Sequence, residues 1–245
     1  MDLTALLIKD HAAPLATLEE RLGYRFAGEV HLLTALIHSS FAFEQGRKPL
    51  ADNEVLEFLG DAVLDLAVGN ALFEAFPGVN EGDLTRMRAA LVNEGSLADL
   101  ARVLGLQDAL LLGKGEEATG GRAKPSILSC AYEAIIGAVF VDGGYESARA
   151  LAERQFAPLI ARGRQSMLQG DAKSRLQELA QQRFNEAPVY GLEKAEGPDH
   201  ARLFTVSARF RGQMLAMATA SSKKEAEQRA AAAALENFAN FDFDA

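Results

Sequence analysis

The chain is 245 residues long and 49% apolar, with a single cysteine and a formal net charge of −9. Length and apolar content allow a substantial core in one large domain or two small ones, and the lone Cys130 excludes an internal disulfide and fits a reducing compartment. The N-terminus MDLTALLIKDHAAPL lacks the basic start, apolar run and cleavage site of a secretory signal, and no apolar run approaches the ~20 residues that span a bilayer, so the expectation is a soluble, cytoplasmic protein with no membrane contact.

The charge does not exclude a nucleic-acid partner. Most of the acidic excess precedes Gly170, and binding depends on where basic groups lie rather than on their sum.

In chain order, ATLEERLGYRF, HLLTALIHSSFAF, DNEVLEFLGDAVLDLAVGNALF, EGDLTRMRAALVNEGSLADLARVLGL, SILSCAYEAIIGAVFVDGG and ESARALAERQFAPLI recur near a period of 3.6 and predict helices, punctuated at Pro77-Gly78 and Gly120-Gly121. Residues 15–161 therefore read as an all-α domain. The polar stretch ARGRQSMLQGDAKS supplies a linker at residues 162–170. Residues 171–238 then change period. AKSRLQELAQQRF is helical, PVYGLEKAEG and RLFTVSARFRGQMLAMATA contain alternating stretches, and SSKKEAEQRAAAAALENFA is a helix with a serine at its start. That α-β-β-β-α order predicts helices on one face of a small antiparallel sheet, an α+β domain.

In the helix from Asp52 to Phe73, Glu54, Glu57 and Asp61 are spaced i, i+3, i+7 and share one side, with Glu57 and Asp61 one turn apart. Leu56, Phe58, Leu59, Val63, Leu64 and Leu66 nearly surround them, so burial there would be costly without a compensating positive charge. Arg86 or Arg88 from another helix would serve, and so would a divalent cation, since hard Mg²⁺ prefers oxygen ligands. A second apolar helix, SILSCAYEAIIGAVF, carries the isolated Glu133.

These segments resemble the bacterial ribonuclease III family. NEVLEFLGDAVL is similar to the family signature, and ALIHSSFA, NEGDLTRMRAALV, GEEATGGRAKPSIL and YEAIIGAVFVDGG accompany it in the family's order. Residues 171–238 are similar to a double-stranded-RNA-binding domain. The resemblance implies a ribonuclease III-type endoribonuclease that hydrolyses double-stranded RNA with Mg²⁺, Mn²⁺ being a substitute, in the processing of ribosomal and messenger RNA. It also implies a homodimer with one cleavage centre per catalytic domain. By position it makes Glu57, Asp61 and Glu133 metal ligands, Asp61 and Glu133 catalytic, and Glu54 and Glu81 accessory acids near the cleavage centre and dimer interface.

At the fourth ligand position, three residues before Glu133, the family has an aspartate and this chain has Cys130. The spacing directs the thiol to the same face, but a thiol is neutral near pH 7 and thiolate is a soft ligand, so the site is expected to be one negative charge short. Two alternatives stay open. Cys130 packs as a small hydrophobe while an acid or water fills the vacancy, or the chain is a catalytically crippled dimer that binds duplex RNA without cutting it.

For RNA binding the resemblance implies three contact regions: Ser174, Gln177 and Glu178 on one helical face, Pro198 to His200 in a loop, and Lys223 and Lys224 at a helix start facing phosphates. Ala218 and Ala220 replace glycines often found before those lysines, and Pro125 stands where the family usually has a glutamate. His38 is expected to be structural, KGEEATGG a surface loop rather than a phosphate cradle, and the acidic tail NFANFDFDA has no match.

Overall fold

The computed structural model describes residues 3–46, 51–163, 167, 172–198 and 202–238. They fall into two compact units, Met1–Gly163 and Arg164–Ala245.

The first unit is helical: α1 (Leu3–Asp10), α2 (Ala12–Leu22), α3 (Glu29–Ala35), α4 (Ser39–Glu44), α5 (Glu54–Ala75), α6 (Glu81–Leu91), α7 (Glu94–Leu104), α8 (Leu106–Ala109), α9 (Lys114–Ala118) and α10 (Pro125–Ile160). Local chemistry sets the ends. Asn80 and Asn93 accept the backbone N–H groups of Asp83 and Ser96 as N-caps, and Gly23 and Gly105 close α2 and α7 in the left-handed conformation. Four sequence expectations need correction. The segment α1 and the start of α2 lie before residue 15. HLLTALIHSSFAF is two helices, because His38 leaves the helix and its side chain accepts the Ser40 N–H to start α4. EGDLTRMRAALVNEGSLADLARVLGL breaks at Asn93 for the same kind of reason. KGEEATGG is one helical turn followed by a tight turn, not a plain loop.

The helix α10 bends at Gly144 (φ 75°), where only glycine turns comfortably. It is long and apolar enough to cross a membrane by length and composition only, and 61% of its most apolar stretch is buried inside the unit. It is the core helix. Leu128, Ala131, Ile135, Ile136 and Val139 are fully enclosed, and its main neighbour is α5.

That pairing is unusually close. A Cβ on Gly60 would be driven into the carbonyl of Glu133, and one on Gly137 into the carbonyl of Leu56, so the two backbones touch where the helices cross. Along one side α5 exposes Val55 (77%), Phe58 (81%), Leu66 (60%) and Phe73 (68%), whose helical spacing places them in one apolar stripe. Phe58 and Leu66, expected to wall in the acids, therefore face outward.

The second unit is α11 (Ala172–Phe184), β1 (Val189–Glu196), β2 (Leu203–Phe210), β3 (Gln213–Ala220) and α12 (Lys223–Asn237). The three strands form an antiparallel sheet in the order β1-β2-β3. Phe210 pairs with Gln213 across Arg211-Gly212, both at positive φ, the two-residue hairpin whose twist suits flanking strands. Arg211 is held in that conformation by Glu186 at 2.8 Å and by stacking on Phe184. Both helices cover one sheet face. Leu176, Ala180, Ala230, Ala231 and Ala234 pack on Phe210 and Leu215, and the Ala-rich run lets α12 lie close to the strands.

Candidate metal centre and duplex-binding surface

Where α5 crosses α10, an open pocket of about 790 Å³ is lined by Glu54, Glu57, Asp61, Cys130 and Glu133, with His38, Asn53 and Phe58 at its walls. The crossing glycines create it: Gly60 separates Glu57 from Asp61 on one helix, and its neighbour across the contact is the backbone of Glu133 on the other. The start of α5 is pinned by Asn53, only 2% exposed. Its N–H donates to the carbonyl of Ile37 and its own carbonyl accepts the Glu57 N–H at 2.8 Å. Gly60, Gly137 and Asn53 were missed in the sequence because none bears charge; the glycine in LEFLGD was the signal.

One oxygen from Glu57, one from Glu133 and the Cys130 sulfur lie within 4.8 Å of one another. Glu54 and Asp61 are exposed on the same pocket, and Glu81 is not among its lining residues; on α6 it accepts from the Thr85 hydroxyl. The acids are thus half-buried or exposed at a pocket, rather than enclosed in apolar core.

Among the described residues their charge is uncompensated by protein. Arg86 pairs with the buried Asp83 at 2.7 Å and Arg88 with Asp65 at 3.6 Å, so the structural ion pair foreseen for Glu57 and Asp61 forms at other acids. Among the described residues no Lys or Arg pairs with Glu57, Asp61 or Glu133. Burial, then the negative charges of Asp61, Glu57 and Asp65, push Glu133 up to about 7. Burial, then a hydrogen bond to Glu57 and the charges of Glu57 and Glu133, push the Cys130 thiol up to about 12. Three carboxylates on one pocket, with no Lys or Arg paired to them among the described residues, fit a divalent ion; the neutral thiol among them is a poor match for a hard one.

In the α+β unit, Ser174, Gln177 and Glu178 are exposed and line a shallow hollow of about 350 Å³ with Gln181 and Gln182, which continue the same face one turn on and were missed. Lys223 and Lys224 are exposed at the start of α12, where Ser222 accepts the Glu225 N–H. Pro198 is exposed after β1; His200 and the tail from residue 239 lie outside the described residues.

An all-α unit with acids gathered in a pocket, followed by an α-β-β-β-α unit, has the make-up of a metal-dependent nuclease joined to an RNA-binding module. Residues 29–160 match the family described as Ribonuclease-III-like, and residues 172–238 match the double-stranded RNA binding motif. "Ribonuclease 3" of Desulfotalea psychrophila is 55% identical, with 94% of this chain and 95% of that protein covered; "Ribonuclease 3" of Pelotomaculum thermopropionicum is 49% identical, with 90% and 92% covered. The crystal structure of the nuclease domain of ribonuclease III from Campylobacter jejuni superposes with a TM-score of 0.55 at 48% identity, over 60% of this chain and 96% of that one. The chain belongs to the ribonuclease III family, double-strand-specific endoribonucleases, and membership implies a divalent metal cofactor.

Proposed function

We propose that this chain hydrolyses phosphodiester bonds of duplex RNA at the α5–α10 pocket, in the cytoplasm and as a homodimer. Glu57, Asp61, Cys130 and Glu133 would hold the cation, Mg²⁺ being the hard ion that the three carboxylates suit and Mn²⁺ a substitute. The observation that carries the reading is the convergence of acids from two helices with no Lys or Arg paired to them among the described residues. The chemistry such an ion supplies when bound is activation of water and stabilisation of charge on the phosphate and leaving oxygen. Asp61 and Glu133 would be the catalytic acids, and Glu54, on the pocket rim, an accessory. Glu81 belongs with the accessory acids only if RNA or a second subunit brings the reacting phosphate toward α6.

Substrate capture would fall to the second unit. Ser174, Gln177 and Glu178, extended by Gln181 and Gln182, offer hydrogen-bonding groups to a shallow minor groove, and Lys223 and Lys224 meet phosphates with the positive end of α12 behind them. Pro198 and His200 would contribute from the intervening loop. The exposed stripe Val55, Phe58, Leu66 and Phe73 supports the dimer, since a contiguous apolar face on a charged surface needs cover. A non-cleaving binder is not favoured, because relatives sharing half the sequence over nearly the whole length are named as ribonucleases.

The test is cleavage of a perfect RNA duplex in Mg²⁺ and in Mn²⁺. Asp61→Ala or Glu133→Ala is expected to lower the rate by about a hundredfold or more, while RNA binding in the absence of metal stays near the parent value. Cleavage that survives both substitutions would place the chemistry elsewhere. Light scattering should give a dimer, and Leu66→Asp a monomer.

A further inference from the structure

The Cys130 sulfur is turned into the pocket rather than into the core. It lines the cavity and stands within 4.8 Å of donor oxygens from both Glu57 and Glu133. Packing as a small hydrophobe would leave it none of these neighbours. Three atoms with that greatest separation have a common centre no more than about 2.8 Å from each, against metal–sulfur and metal–oxygen bonds of about 2.3 and 2.0–2.2 Å for Zn²⁺. Side-chain shifts of at most about 0.5–0.8 Å would complete a coordination triangle, with Asp61 or water beyond it.

Donor chemistry then decides between ions. Mg²⁺ demands oxygen ligands at about 2.0–2.1 Å and gains little from sulfur, whereas thiolate binds the later first-row divalent ions strongly. We propose that Cys130, Glu57 and Glu133 form a mixed sulfur–oxygen centre that prefers a thiophilic divalent cation such as Co²⁺ or Zn²⁺ to Mg²⁺. The inference rests on the metal centre proposed above and specifies which ion it selects. On binding, the sulfur–metal bond forms, the S–H bond breaks and the proton passes to water; no electron is transferred.

The experiment uses the full chain stripped of metal and titrated with Co²⁺ as the probe. A sulfur-to-cobalt charge-transfer band in the near ultraviolet is expected to saturate with one site per chain. Cys130→Ser should remove the band with the fold intact by circular dichroism. Competition with Mg²⁺ gives the selectivity, which should exceed that of Cys130→Asp by on the order of tenfold or more in favour of Co²⁺. Co²⁺ bound with no charge-transfer band, or equal selectivity in the parent chain and Cys130→Asp, would overturn the inference and leave the carboxylate centre standing. Failure of Co²⁺, Mn²⁺ and Mg²⁺ alike to bind the folded chain would instead overturn the metal centre itself.

Discussion

The candidate surfaces of the two units carry opposite charges, and the units assemble them differently. In the α+β unit most ionic groups are neutralised locally: Lys173 by Glu227 at 2.6 Å, Arg209 by Glu193 at 3.0 Å, Arg211 by Glu186 at 2.8 Å and Arg229 by Glu225 at 2.6 Å. Lys223 and Lys224, adjacent in sequence, form no ion pair among the described residues and stand exposed. In the helical unit the pocket acids Glu57, Asp61 and Glu133 pair with no Lys or Arg among the described residues, and they come from helices whose sequences lie some distance apart. Free cations on a helix end suit a polyanion's phosphates; free anions converging in a pocket suit a small cation. One surface is built by local spacing and the other by a helix crossing, so they should fail in different ways.

The largest expected effect tests the crossing. Gly60→Ala and Gly137→Ala each force a Cβ into a backbone carbonyl that cannot move aside like a side-chain tip. Each is expected to destabilise the fold by about 1–3 kcal/mol or more in denaturant unfolding, with loss of cleavage. Gly28→Ala, with open space at its Cβ position, serves as the control and should leave both near the parent value. If Gly60→Ala were neutral, the close approach would not be what holds the acids together.

A smaller effect is expected on the other surface. Replacing Lys223 and Lys224 by Ala should weaken duplex binding across unrelated RNA sequences and reduce the slope of log affinity against log salt by ~1–2. Cleavage in saturating RNA should change little. An unchanged salt slope would take both lysines out of the interface.

The smallest effect separates the units by pH. Glu133 holds its proton up to about 7 in the folded chain, well above an ordinary glutamate. Between those two values the folded state binds the extra proton, so the stability of the metal-free protein should fall as pH rises from about 5 to about 8. Glu133→Gln should flatten that slope, and saturating divalent metal should remove it by stabilising the carboxylate. The decline should appear in the helical unit alone. A slope unchanged in Glu133→Gln would assign it to other groups.

The sequence by itself determined the helix and strand content, the change of period near residue 171 and which acids share a helix side, because all three rest on local periodicity or on residue type. Glu57 and Asp61 had to share a helix side once the helix existed, and Ser174, Gln177 and Glu178 had to share another. What local spacing could not decide was exposure. Phe58 and Leu66 look like core in NEVLEFLGDAVLDL, but a helix rich in apolar residues all round does not say which side meets its neighbour, and the close contact at Gly60 turned them outward. Nor could it decide which arginine would pair with which acid: Arg86 went to Asp83, a buried carboxylate that no sequence pattern singled out. The meeting of Cys130 with Glu57 depends on two helices separated by 49 residues lying backbone to backbone, and that distance is set by glycines whose only signal is the absence of a side chain.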